Sequence, residues 1–306
     1  MKHANIRHYA VLLLLAALWG SSFYLMKHGL RDEQGNDVFR PDQVSSLRLA
    51  IAATALLPIA IRSWKGLSRT EWKWIIIIGL FGTGIPAFLF PIAQTFLDSS
   101  VAGILNALTP LFTIIIAILF FQTKVQNRQI LGVIIGLAGA ILLISLRGID
   151  NLDNLSYSFL IILATVGYGT SVNVVKNKLP HLPAIRTTAL TIVVSGIPCA
   201  IYLAFSDTAH VIREHPHGMA SFYYILVLGV AGTALANLIY YWLAVQTSAL
   251  FAASVTYLMP IVAIGWGISD GETFSWKHAA CAGVILTGVW LVNYTRKSKS
   301  PDSAAG

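Results

Sequence analysis

The two halves of this chain carry the same residues in the same order at a nearly constant spacing, and that repeat limits the possible folds more than any other feature. Trp19-Gly20-Ser21-Ser22 returns 149 positions later as Tyr168-Gly169-Thr170-Ser171, Lys27 returns as Lys176, and Gly139 as Gly288. Gly82-Thr83 returns as Gly232-Thr233 and Pro110 as Pro260, both 150 positions on. Glycine and serine are common, so no single pair counts for much. Five pairs holding one offset to within a residue, in a chain of 306, define a duplication. Each half contains five apolar runs, near 8–28, 43–61, 73–95, 100–121 and 129–147, then 157–175, 187–206, 220–243, 250–269 and 277–295. An odd number of crossings per copy makes the second copy enter a bilayer from the opposite face.

Hydrophobic residues make up 56% of the chain and charged residues 11%, with mean hydropathy +0.70. A soluble domain averages about 25% charged residues, so lipid is the main solvent here. Ten crossings of about 20 residues use about two thirds of the chain, which leaves no loop long enough for a soluble catalytic domain. Every crossing is expected to be helical, because a backbone in hydrocarbon needs internal partners. The expected fold is an all-α integral membrane protein with ten transmembrane helices in two inverted five-helix repeats, 1–150 and 151–298, and a disordered tail at 299–306. The first twenty residues have the make-up of a signal peptide, but their Trp-Gly-Ser-Ser segment has a counterpart in the second half, which assigns them to the first helix. Inverted repeats are a design of carriers that hold a ligand at the repeat interface.

The net charge of +8 is distributed as topology and not as a nucleic-acid surface. With the N-terminus in the cytoplasm and sides alternating, 14 of the 21 Lys and Arg fall on inner segments or run ends and six on outer ones, which leaves Arg48 inside a run. That is the basic bias which orients membrane proteins. It implies a multi-pass protein of the cell (inner) membrane with both termini cytoplasmic. Its expected partners are the bilayer and a small-molecule substrate, with no nucleic acid, and its expected state is monomer or homodimer. Cys199 and Cys281 lie in apolar runs and read as small apolar residues outside any disulfide. His210, His215 and His217 share an outer segment without a recognised ligand spacing. No nucleotide loop, catalytic triad or zinc helix is present, so no cofactor and no metal is expected.

Leu18-Trp19-Gly20-Ser21-Ser22-Phe23 followed by Lys27, Arg48 soon after Pro41, and Pro110 ahead of the Gly132–Gly139 helix resemble EamA-type members of the drug/metabolite transporter superfamily. Pro260, Glu272 and Gly288 repeat the pattern in the second half, so the resemblance covers nearly the whole chain. It departs from the family at Thr123, where the counterpart of Glu272 is missing, and at Cys281, which replaces a glycine. The resemblance implies a ten-helix carrier of small metabolites, not an enzyme: a permease or exporter of small polar or zwitterionic solutes, amino acids among them, working by alternating access. A small-molecule or multidrug efflux carrier is the alternative, and a membrane-embedded lipid-modifying enzyme is disfavoured because no acidic or His motif stands at an interface.

Candidate substrate-binding residues are Trp19, Tyr24, Arg48, Tyr168, Asn237 and Tyr257. Arg48 is the sharpest, since an ionised group within a span is costly and faces the protein interior or a water-filled cavity. Either its guanidinium receives a substrate carboxylate, or it bonds helix-end carbonyls or pairs with Asp42. The aromatic and amide groups suit the wall of a small-molecule pocket, although aromatics at helical spacing also serve as packing. The resemblance places the helices of Trp19, Tyr168 and Asn237 around the cavity. Lys27 and Lys176 either snorkel to the interfaces or form cationic mouths. Pro110 and Pro260 suggest a matched pair of kinks, acting as hinges or as static bends. Gly132 and Gly136 form a close-packing step, with Ala279, Ala282 and Gly283 as a similar small face on the last helix. Asp98 and Glu272 are expected at the outer surface. With no carboxylate or His in mid-span, a facilitator or weakly coupled carrier is expected, and one that does not primarily export lipophilic cations.

Overall fold

The computed structural model describes residues 5–123, 125–146, 152–247, 251–252 and 254–293; the tail expected at 299–306 lies outside them. Among the described residues the chain is helical, with no strand beyond an isolated bridge between Arg31 and Asp37. Eight helices are long and apolar enough to cross a membrane. They are α1 (Ile6–Leu30), α2 (Pro41–Ser63), α3 (Arg69–Gln94), α4 (Ser99–Phe121), α5 (Asn127–Ser145), α6 (Leu152–Lys178), α7 (Ala184–Phe205) and α8, whose segments Gly218–Val227, Leu228–Leu235 and Ala236–Gln246 are continuous. Two shorter apolar helices follow, α9 (Val255–Ser269) and α10 (Trp276–Asn293), at the ninth and tenth apolar runs.

Local chemistry sets the starts. Asn5 accepts from the His8 amide to cap α1, and Ser68 and Glu71 cap α3 reciprocally, with Ser68 N–H donating to Glu71 at 2.6 Å. Pro41 opens α2, where its missing N–H costs nothing. Both repeats end their fourth helix on a left-handed residue, Gln122 with φ +49° in the first and Gly271 with φ +77° in the second.

The repeated glycines mark where the copies interlock. A Cβ on Gly20 of α1 would meet Val262 Cβ of α9 at 2.5 Å, and one on Gly169 of α6 would meet the Thr113 backbone of α4 at 2.8 Å. Thus the first helix of each repeat crosses the fourth helix of the other. Ser22 lies against Gly232 of α8, and Ser171 against Gly82 of α3, in the same exchanged sense. Gly132 and Gly136 of α5 pack on Gly288 of α10, backbone against backbone. The small face expected at Ala279, Ala282 and Gly283 is not that contact, because a Cβ on Gly283 would meet nothing within 4 Å. Apolar residues such as Leu119, Phe120, Ile141 and Phe205 project outward, while Ser22, Ser45, Ser46, Thr187 and Thr191 are buried. Apolar side chains on the outer face suit a lipid-solvated bundle.

Two irregularities shape the middle of the bundle. Both third helices widen to π-helical turns at matched places, Leu80–Gly84 in α3 and Leu228–Leu235 in α8. The prolines do not form the expected matched kinks. Pro110 follows a break at Ala107–Leu108, where α4 restarts, whereas Pro260 lies inside α9 and the turn preceding it comes earlier, with Tyr257 N–H donating to Ser254 O. An interior break needs a place for its freed carbonyls, and the two copies find it at different points.

The connections sort onto two ends. Arg40 reaches Asp207, and His217 comes within 3.8 Å of Asp32, at one end. At the other, His181 contacts Glu71 at 2.6 Å and Arg186 donates to the carbonyls of Ser63 and Lys65.

Candidate functional site

Arg48 lies eight residues beyond Arg40, the residue that precedes α2; at about 1.5 Å per residue that is about 12 Å deeper, close to the middle of a hydrocarbon core about 30 Å thick. Helix α2 comes close to α8 here because Gly229 has no side chain: a Cβ there would stand 3.0 Å from Arg48 O. The wide turn of α8 then presents Thr233. Its hydroxyl donates five residues back to Leu228 O at 3.0 Å, leaving its oxygen free to accept from Arg48 Nε at 2.8 Å. The terminal guanidinium nitrogens make no hydrogen bond, and Arg48 has no carboxylate partner, among the described residues. Asp42 does not supply one, since Arg40 and Tyr202 hold it. Nor do helix-end carbonyls. Arg48 is partly accessible and not fully enclosed.

Tyr168 of α6 lies within electrostatic reach of Arg48 and stacks on Phe90 at 6.2 Å, which in turn meets Phe23 at 5.8 Å. Asn237 sits one turn along α8 from Thr233 and donates to Thr233 O at 2.7 Å. Trp19 packs against Tyr240 of α8 at 5.4 Å. Arg48 and Asn237 thus both meet Thr233, Tyr168 lies near Arg48, and Trp19 packs on the same helix, α8. Tyr24 and Tyr257 belong elsewhere. Tyr24 stacks on Trp266 at 4.5 Å and lies 4.2 Å from His28. The Tyr257 hydroxyl donates to Val289 O at 2.9 Å, which turns it toward α10.

A second polar cluster closes one end of the bundle. Lys27 neither snorkels freely nor offers an open charge: it is paired with Asp270 and lies 3.4 Å from Glu272, while His28 contacts Asp270 at 3.0 Å. Its repeat counterpart Lys176 is exposed and has no ion pair among the described residues. Glu272 is not at the surface; its side chain is 2% exposed and accepts from Ser99 N–H at 2.8 Å, Ser100 N–H at 3.0 Å and the Ser100 hydroxyl at 2.7 Å. It thereby caps α4 and ties α1, α4 and the α9–α10 connection together, as the positive end of a helix favours an anion. Trp266 adds a bond from its indole N–H to Ser21 at 2.7 Å. In the other repeat Thr123 occupies the place of Glu272, and no such lock stands there among the described residues.

Arg40 and Asp207 form a bidentate pair at 3.0 and 3.1 Å. The Arg40 guanidinium holds the Asp207 carboxyl below the usual carboxylate range, and Asp207 in turn keeps Arg40 charged.

Sequence reading alone passed over Thr233 as a binding partner, although the repeated Gly-Thr pair was its signal, and it missed the role of Asp270 altogether. No group of three or more His, Cys, Asp or Glu stands ready for a metal ion among the described residues.

A bundle of apolar helices with exchanged first helices and an unpaired interior cation has the form of a membrane carrier. The chain belongs to the EamA-like transporter family, whose pattern matches twice, over residues 7–145 and 155–294. It is 24% identical over 291 residues to an uncharacterized transporter of Archaeoglobus fulgidus, covering 94% of this chain and 99% of that one. It is also 24% identical over 288 residues to the uncharacterized inner membrane transporter YedA of Escherichia coli, covering 93% and 90%. A solved crystal structure shares the fold with TM-score 0.58 at 15% identity, covering 94% of this chain and 98% of that chain.

Proposed function

We propose that this transporter carries small polar solutes bearing an anionic group, zwitterionic amino acids foremost, across the cell (inner) membrane. The observation that carries the reading is Arg48, a cation near mid-depth whose single hydrogen bond among the described residues goes to a neutral hydroxyl. An unpaired charge in a low-dielectric interior is strongly unfavourable, and a carboxylate held by its two free nitrogens would relieve that cost. Tyr168, Asn237 and Trp19 frame the remainder of the solute. A lipophilic cation would find like charge there, which disfavours multidrug efflux.

In this reading all ten apolar helices cross the membrane, both termini are cytoplasmic, and the two repeats rock against each other around Arg48. The separation of the connections onto two ends supports the alternating order of sides. The chain needs only bilayer and solute as partners, as a monomer or a homodimer.

Thermal melting of the purified protein against amino acids, nucleosides, organic acids and organic cations tests it. Solutes with a carboxylate should raise the melting temperature of the wild type, act weakly on Arg48→Lys and have no effect on folded Arg48→Ala. Stabilisation by cations or uncharged solutes that survives Arg48→Ala would overturn the reading.

A further inference from the structure

Thr54, Thr113 and Thr170 give their hydroxyl protons to the carbonyl four residues back, and Thr165 and Thr191 to the one three back. Thr233 instead reaches five back, to Leu228 O. That reach follows from the π-helical course of α8 over Leu228–Leu235, in which the fifth carbonyl stands where an α-helix has the fourth. The turn is pinned from three sides. A Cβ on Gly229 would stand 3.0 Å from Arg48 O of α2, and one on Gly232 would stand 2.7 Å from the Ser22 hydroxyl of α1. Asn237 donates to the Thr233 carbonyl at 2.7 Å, and Thr233 itself is buried.

With its proton spent on Leu228, the Thr233 hydroxyl meets Arg48 as an acceptor, at Nε. A guanidinium can offer an anion two parallel N–H donors along either of two edges, Nε with one terminal nitrogen or the two terminal nitrogens together. Thr233 closes the first edge. The edge that remains is the outermost, so a two-oxygen anion would be received end-on, along the axis of the arginine. The hydroxyl is also neutral. A carboxylate in its place would orient Arg48 equally well but cancel the charge that attracts a solute.

The first repeat supplies the contrast. Gly79 stands 150 positions before Gly229 and makes the same approach from α3. Its Cβ would stand 3.0 Å from Thr191 O of α7, beside Val194, as that of Gly229 meets Arg48 O beside Ile51. The counterpart of Arg48 is therefore Thr191. Thr83, which matches Thr233 in the π-helical turn Leu80–Gly84, has no arginine among the residues lining the space beside it. The frame is duplicated and the cation is not.

We propose that Thr233 is the positioning residue of this site: it holds Arg48 by Nε, so that the two terminal nitrogens meet the solute carboxylate end-on. The proposal rests on the reading of Arg48 as the solute anchor and adds to it the direction of approach.

Acetate, a bare carboxylate, and acetamide, its uncharged isostere, are the probes, in thermal melting of the purified full chain at fixed ionic strength. Acetate should raise the melting temperature of the wild type saturably, and acetamide should not. Thr233→Val removes the acceptor and keeps the shape; it should raise the acetate concentration for half the shift about tenfold or more, the worth of a hydrogen bond to a charged group. Thr233→Ala, with less bulk to misfit, should do the same. Thr233→Ser should recover wild-type behaviour, and Thr83→Val should leave the acetate response unchanged. Nitrogen-15 NMR of the chain labelled at arginine Nε reads the contact without any solute. The Arg48 Nε–H signal, assigned by its loss in Arg48→Lys, should be retained in Thr233→Ser, and should shift and exchange faster with water in Thr233→Val and Thr233→Ala. An acetate response that vanishes in Arg48→Ala but is undiminished in folded Thr233→Val or Thr233→Ala would overturn the positioning role and leave the carboxylate reading standing. An Arg48 Nε–H signal that ignores loss of the hydroxyl would overturn it as well. A wild type indifferent to acetate would instead count against Arg48 as the anchor, and the role of Thr233 would fall with it.

Discussion

Arg40 and Arg48 sit two turns apart and show how depth alone changes what a guanidinium does. Arg40, in the connection before α2, is half-exposed and has two carboxylates for partners; Arg48 has a threonine oxygen. The first is a strap between connections, and the second is the residue we propose to receive the solute. The strap has a pH signature. The Asp207 carboxyl is depressed in the folded protein, so the stability it contributes is complete above its unfolded value of about 3.9 and is lost as pH falls through the lower folded value. The melting difference between wild type and Asp207→Asn should therefore be constant from neutral pH down to about pH 5 and shrink below about pH 4. A difference that persists undiminished in strong acid would show that the pair does not stabilise through charge. Arg48 was legible in the sequence because an ionised residue in an apolar run stands out. Thr233 was not, since a threonine in an apolar helix ordinarily bonds its own backbone.

At the scale of elements, glycine placement decides which helices touch. Gly132 and Gly288 face each other so closely that a Cβ on either would stand 2.5–2.6 Å from the other's carbonyl oxygen. Gly283, on the same helix, faces open space. Gly→Ala substitution should thus change sign between them. Gly283→Ala removes a poor helix former and should stabilise by up to about 1 kcal/mol, whereas Gly288→Ala forces α5 and α10 apart and should cost about 1–3 kcal/mol. Chemical unfolding in detergent measures both, and similar shifts of the same sign would mean that the helix pair is not held by this contact. The length of the apolar runs, with the need of a backbone in hydrocarbon for internal partners, gave the helices. It could not give the π-helical turns, whose extra residue depends on what α2 and α6 press against, nor the different placing of the breaks around Pro110 and Pro260.

For the molecule as a whole, the exchange of first helices makes the copies one body, and the lock at Glu272 makes that body asymmetric. Lys27, His28, Asp270, Glu272 and the start of α4 are joined at one end; at the other, Thr123 and Lys176 form no such cluster among the described residues. Alternating access would require that lock to part. In a background with Cys199 and Cys281 replaced by Ala, a Tyr24→Cys thiol should react slowly with an impermeant maleimide, and adding Lys27→Ala should speed the reaction several-fold. An unchanged rate would mean that the ion pairs do not govern access at this end. Glu272 itself is poorly suited to this test, because removing it also uncaps α4.

Sequence alone determined that the chain is a duplicated, lipid-solvated helical protein of a transporter family, because apolar run length, the constant offset and the spacing of Gly, Pro and Lys are one-dimensional properties. It also singled out Arg48, because an ionised side chain within an apolar run stands out before its neighbours are known. Only the tertiary structure decided that Arg48 meets Thr233 while Lys27 meets Asp270 and Glu272, residues 185, 243 and 245 positions away. Those meetings follow from how two copies interpenetrate, and a polar side chain in lipid takes whichever partner that packing brings within reach.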